Sequence, residues 1–185
     1  LSAALALSAL VLSTRGLHQD GLADTADGLA SSYDRERALT VMRSGNTGPA
    51  GATALLLVLV LQITALGEIL DTSNALVVVS VVIASRVAVP LACLRGLPAA
   101  RPEGLGAAMA GSVPRVAALG TVLLSMAVCA MITMFSTGCW WHGPCSLFIG
   151  LIAETMLLVR VVNRLGGITG DVLGACVETA TTAVL

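Results

Sequence analysis

Apolar runs alternate with short polar connections along almost the whole chain, at about 50–66, 75–94, 116–137 and 146–162. Each run approaches the roughly 20 residues that a helix needs to cross a hydrocarbon core. Shorter apolar stretches at 1–13 and 172–185 open and close the sequence. The first is too short to cross unaided and lacks the positive start and small-residue cleavage site of a signal peptide, so it reads as a truncated span. The pattern predicts an all-α, polytopic integral membrane helix bundle, a single domain over residues 1–185.

One stretch breaks the pattern. Residues 17–48, LHQDGLADTADGLASSYDRERALTVMRSGNTG, form a polar island, too hydrophilic to cross a membrane. Short cytoplasmic loops collect Arg and Lys, and the arginines alternate accordingly. Arg35, Arg37 and Arg43 lie in the island, Arg95, Arg101 and Arg115 in the loop after the third apolar run, and Arg160 and Arg164 at the end of the fifth. The intervening connections, one with Glu68 and Asp71 and the other GCWWHGPC, have none. The island, the 95–115 loop and the turn GGITGD are therefore expected together on the cytoplasmic face of a cell membrane.

Composition agrees with a membrane protein: 56% hydrophobic and 11% charged residues, with a mean hydropathy of +0.92. A net charge of −1 and the absence of any basic tract give no reason to expect nucleic acid. The five cysteines make no CxxC metal pattern; Cys139 and Cys145, on the predicted outer connection, are candidates for a disulfide.

Four of the six aspartates, Asp20, Asp24, Asp27 and Asp34, lie in the island. On one continuous helix their spacing puts all four within an arc of roughly 60° to 80°, with Leu22, Thr25 and Leu29 opposite. Carboxylates that close raise one another's pKa and call for a cation. The bland alternative is a solvated face paired with Arg35, Arg37 and Arg43. Clustered acids beside Gly21 and Gly28 suit a hard divalent ion such as Mg²⁺, and Mg²⁺ points to phosphoryl transfer.

Other polar residues have competing readings. GGITGD, with Gly166, Gly167, Gly170 and Asp171, fits either a phosphate cradle feeding a helix or a plain helix cap. Arg43, followed by Gly45, Gly48 and Gly51, fits a phosphate clamp or a turn before a span. Arg86 and Glu154 lie inside apolar spans, which is costly. Each lies about nine residues from the inner end of its span, a depth of roughly 13 Å, so they are expected as an ion pair or a cavity floor. His18 is expected to have a structural role.

GLHQDGLADTADGL, then DRERAL with an M-R turn, ARPEGLGAA over 100–108 and NRLGGITGDVLGA over 163–175 together resemble the adenosylcobinamide-GDP ribazoletransferase family, the cobalamin (5′-phosphate) synthases. The resemblance implies an Mg²⁺-dependent membrane transferase with a transmembrane catalytic domain. Its substrates are adenosylcobinamide-GDP and α-ribazole or α-ribazole 5′-phosphate, and it releases GMP. Asp20, Asp24 and Asp27 match the residues expected at the metal and phosphate site, and Asp171 matches the acid of the glycine turn. On that reading the acids hold one or two Mg²⁺ ions, Asp34 is a candidate base, and Arg43 and Arg164 neutralise phosphate oxygens. Ser44, Gly45 and Asn46 depart from the family pattern, which often carries an acid, a serine and then a basic residue there. The rival readings are a CDP-alcohol phosphotransferase and, from another class, a divalent-cation transporter.

Overall fold

The computed structural model describes residues 1–72 and 75–185. Its helices, in chain order, are α1 (Ser2–Ser13), α2 (Leu17–Ser31), α3 (Arg35–Arg43), α4 (Pro49–Thr72), α5 (Leu76–Arg86), α6 (Ala88–Ala92), α7 (Leu105–Met109), α8 (Arg115–Thr137), α9 (His142–Leu165) and α10 (Gly170–Val184). Among the described residues there is no strand, only two isolated bridges, Leu94 with Val113 and Ala99 with Ile168. The molecule is an all-α membrane bundle. Three of its helices, α4, α8 and α9, are long and apolar enough to cross a bilayer.

The outward sides of these helices are hydrocarbon: Leu56 and Leu61 on α4, Leu124 and Phe135 on α8, and Phe148 and Met156 on α9 are all exposed. Continuous apolar surface of that extent marks a lipid-facing belt. The interior is built around α10, which packs most extensively on α2 and α9. Val161, Leu165, Ile168, Val172 and Cys176 are fully buried along that seam. A second cluster joins Val81, Ala84 and Val87 to Cys129 and Leu147, tying α5 to the α8–α9 hairpin.

Several boundaries differ from the sequence expectation, each for a local reason. α4 continues past Leu66, so Glu68 and Asp71 lie on its last turns rather than in a connection. The run 75–94 breaks into α5 and α6. The break falls at Val87 because Pro90 lacks an N–H and its ring clashes with the carbonyl four residues back, that of Arg86. The last two residues of GGITGD form the first turn of α10. The island is not one helix: α2 ends at Ser31, Ser32 is extended at φ −162° and ψ 153°, and α3 starts afresh. Cys139 and Cys145 are both free thiols.

The α8–α9 hairpin closes at Gly143, where an added Cβ would stand 2.5 Å from the backbone oxygen of Cys129. Backbone cannot yield as a flexible side chain does. Gly143→Ala is expected to cost about 1–3 kcal/mol, the usual overpacking penalty, read as a lower thermal midpoint in detergent. Gly120→Ala, where nothing lies within 4 Å, serves as the control and leaves the midpoint unchanged or raised.

Candidate active site

The site begins with two helices that touch backbone to backbone. Arg15 and Gly16 adopt positive φ values of 53° and 72°, ending α1 and turning the chain into α2. α2 then runs antiparallel to α10. A Cβ on Gly21 would meet the carbonyl oxygen of Asp171 at 2.5 Å, and one on Gly174 would meet the His18 Cα at 3.1 Å. Only glycine permits this approach. It sets Asp20 and Asp24, which flank Gly21, against the first turn of α10 and its Asp171.

The electrostatics record that crowding. The half-buried Asp24 carboxyl is pushed up to about 6, by burial first and then by Asp20, Asp171 and Asp27, against a lowering influence from Arg101. Asp20 is exposed and lines a groove with Arg15, Thr47 and Leu55. Asp171 Oδ2 accepts from the Thr169 hydroxyl at 3.2 Å, while Thr169 caps α10 by accepting from the Val172 N–H.

Asp27 faces another way. Its Oδ2 accepts the Gly48 N–H at 2.6 Å and its Oδ1 the Gly51 N–H at 2.8 Å, which satisfies donors at the N-terminus of α4 that have no partner within that helix. Gly48 and Gly51 are small because this carboxylate lies against them. Asp34, expected on the same face as the other three, instead caps α3 by accepting the Arg37 N–H at 2.8 Å. Gly28 meets the Met42 side chain and the Ala38 carbonyl, folding α3 back onto α2.

The three polar segments meet as the arginine alternation predicts. The Ile168 N–H donates to the Pro98 carbonyl and the Ala100 N–H to the Ile168 carbonyl, both at 2.9 Å. Gly166 caps α9 in the left-handed region at φ 75°. Gly167 packs on the backbone of Pro98, Ala99 and Ala100, and Gly170 lies beside Leu105. Arg35 donates to the carbonyls of Leu165 at 2.7 Å and Ala100 at 3.0 Å. Arg164 donates to the Ser32 carbonyl at 2.6 Å and lies 4.2 Å over the Tyr33 ring, so here it is a strut at the α2–α3 junction.

Arg101 is the cation that the sequence reading placed on the correct face but did not assign to the site. One Nη donates to the Leu39 carbonyl at 2.7 Å, and its buried Nε has no partner. Burial lowers its pKa, Asp171 and Asp24 hold it up, and Arg43 lowers it further. Arg101 therefore faces the acids, with Arg43 near it, and among the described residues neither arginine forms an ion pair with them. The sequence signal was the arginine of ARPEGLGAA in a loop already assigned to this face.

The expected Arg86–Glu154 pair is absent among the described residues. Arg86 lines a cavity with His18, Gln19, Gln62 and Glu178. Glu154 is fully buried, and neither carboxylate oxygen has a hydrogen-bond partner. Equal depth fixes height but not direction around the bundle. His18 packs against α10, its Nδ1 3.8 Å from Glu178 Oε1.

Mg²⁺ usually keeps several waters and is held by one or two carboxylates together with substrate phosphates, not by an all-protein cage. Among the described residues no three His, Cys, Asp or Glu side chains converge tightly enough to hold a metal alone. Asp24, whose carboxyl is pushed up by burial and by the nearby Asp20 and Asp171, fits that shared kind of coordination.

The cobalamin-5-phosphate synthase family model matches residues 1–185. An adenosylcobinamide-GDP ribazoletransferase from Nocardioides sp. is 44% identical over 182 residues, 98% of this chain and 69% of the relative. Those from Frankia casuarinae and Pseudomonas fluorescens are 38% and 37% identical over all of this chain, which spans 69% and 74% of their lengths. No solved structure matches. The acids, arginines and glycine turn of this polar face thus occur in a chain that belongs to the cobalamin-5-phosphate synthase family of transferases in cobalamin synthesis.

Proposed function

We propose that the chain is the catalytic domain of an Mg²⁺-dependent transferase that joins adenosylcobinamide-GDP to α-ribazole or its 5′-phosphate. The products are adenosylcobalamin or its 5′-phosphate, and GMP. The observation that carries this reading is the Gly21–Asp171 contact, which holds Asp20, Asp24 and Asp171 together on one polar face with Arg101 beside them and Arg43 near Arg101. The arginine rule puts this face on the cytoplasmic side of the cell membrane.

Asp20, Asp24 and Asp171, with Asp27 behind them, would hold Mg²⁺, which would supply charge neutralisation at the diphosphate. Arg101 and Arg43 bind the outer phosphate oxygens and orient the phosphorus that carries the cobinamide. The ribose hydroxyl of α-ribazole forms the new P–O bond, the bridging P–O bond breaks, and GMP departs with the bridging oxygen. Asp20, exposed in the groove beside Arg15 and Thr47, accepts the hydroxyl proton. The Asp34 oxygen already caps α3, so the proton acceptor is drawn from α2. Fixing all partners on rigid helix ends supplies the positioning that dominates such reactions.

The direct test is release of GMP from adenosylcobinamide-GDP by membranes bearing the full-length protein. Release is expected to require both α-ribazole and Mg²⁺; release from neither nucleotide, or CMP from a CDP-alcohol instead, sinks the reading. In the same assay Asp24→Asn and Asp171→Asn are expected to lower turnover by about two orders of magnitude. Asp34→Ala is expected to cost about 1 kcal/mol of stability, as a lost helix cap does, with turnover kept.

Protons and Mg²⁺ compete for Asp24. Its pKa of about 6 leaves the carboxyl protonated below that pH, so Mg²⁺ affinity is expected to fall as the pH drops from 7 to 5. The half-saturating Mg²⁺ concentration rises toward about tenfold per pH unit below the pKa. Titrating turnover with Mg²⁺ at each pH measures this, and Asp24→Asn flattens the dependence.

A further inference from the structure

Glu178 lies on α10, outside the acid cluster, and is only 5% exposed. Its Oε1 accepts from Gln19 Nε2 on α2 at 3.0 Å and its Oε2 from Gln62 Nε2 on α4 at 2.9 Å. Gln62 is fully buried and also reaches the Thr182 hydroxyl at 3.1 Å. His18 closes the same carboxylate at 3.8 Å, and Arg86 of α5 lines the small cavity beside them, about 30 Å³. One carboxylate thus joins α2, α4 and α10 inside an apolar bundle, where a polar group is costly and usually functional.

Glycines bring the α2 and α10 backbones together at two points. Gly21 lies against Asp171 and Gly174 against His18; glycine rungs give close approach but no side-chain knob to fix register. Among the described residues the sole side-chain hydrogen bond between α2 and α10 is that of Gln19 with Glu178. A slip of one residue along a helix is 1.5 Å of rise and about 100° of rotation. Gln19 directly precedes Asp20, so any slip there moves the acids relative to Asp171.

We propose that Glu178 is a positioning residue for the transfer reaction: through Gln19 it fixes the height and rotation of α2, and hence the spacing of Asp20 and Asp24 from Asp171. The proposal rests on the ribazoletransferase reading. Glu178 touches no substrate, and its role is distinct from holding the bundle together, because α2 and α10 remain packed through the glycine rungs without it. The Gln19 and Gln62 Oε1 atoms are buried without partners. Either amide is therefore free to turn and accept from a glutamine at 178, so Glu178→Gln preserves packing while replacing the carboxylate's charge-assisted bonds with weaker neutral ones that hold the register less firmly.

The full chain in proteoliposomes, assayed for GMP release, tests this with Glu178→Leu, Glu178→Gln and the exchange Gln19→Glu/Glu178→Gln. Misplacement of about 1 Å costs on the order of 100-fold in turnover. Glu178→Leu is expected to lose about that in kcat per folded molecule and Glu178→Gln about tenfold, with KM within about twofold for both substrates. The exchange restores a carboxylate–amide bond across α2 and α10 and recovers most of the kcat lost by Glu178→Gln. Wild-type kcat per folded molecule in both single variants, or a loss that follows only the folded fraction by thermal melt, overturns the proposal, as does an exchange no better than Glu178→Gln. An inactive wild-type protein instead overturns the ribazoletransferase reading, which keeps the two failures apart.

Discussion

A helix can present three carboxylates at a membrane edge only if something compels it to stay there. Here that constraint is the backbone contact of Gly21 with Asp171. It draws α2 onto α10 so closely that Asp24 is half withdrawn from water, and its raised pKa records that burial together with the nearby Asp20 and Asp171. The polar face elaborates this contact. Asp27 fastens α4 to the same helix through Gly48 and Gly51, and Gly28 admits Met42 so that α3 folds back across it.

Arginine supplies the outer bracing. All ten basic residues are arginine, and three of them reach main-chain carbonyls in distant segments: Arg35 to Leu165 and Ala100, Arg101 to Leu39, Arg164 to Ser32. A planar guanidinium with five donors can bind two carbonyls at once or keep one edge free. Arg35 does the first, and Arg101, with a buried Nε lacking a partner, does the second. Lysine, a compact charge without that fork, would not join two segments while leaving a donor for an anion. The residues that close the polar face are thus of the same kind as those that meet a phosphate.

What was legible in the sequence follows from range. Hydropathy marked the three long apolar helices α4, α8 and α9 because bilayer thickness is a global constraint, whereas the end of α4 and the break at Val87 follow from local geometry. The arginine alternation brought the island, the 95–115 loop and GGITGD together correctly. Helix periodicity grouped Asp20, Asp24 and Asp27, but it was carried one element too far to Asp34, because nothing in SSYD announces the extended Ser32 strongly enough. Pairings between distant segments were not legible. Depth matched Arg86 with Glu154, whereas packing turned Arg86 toward His18 and Glu178. Arg164 looked like a phosphate ligand because the two uses of an arginine, strut and clamp, have the same local sequence. Gln62 and Glu178 are polar residues in apolar surroundings, of the same kind as Arg86, and carry the same sequence signal.

The turn at Ser44, Gly45 and Asn46, where the chain departs from the family pattern, acquires a physical account from its neighbours. Ser44 closes α3 by donating its hydroxyl to the Val41 carbonyl at 2.8 Å, and Gly45 takes the left-handed conformation at φ 67° with open space around it. All three residues are exposed. An acid or a cation in so open a place would be screened by water and weakly placed. The charges that the cleft depends on are held elsewhere, by helix contact for Asp24 and by a carbonyl bond to Leu39 for Arg101. Loss of charge from so exposed a position is therefore compatible with an intact polar face, where Arg43, one residue upstream, lies near Arg101.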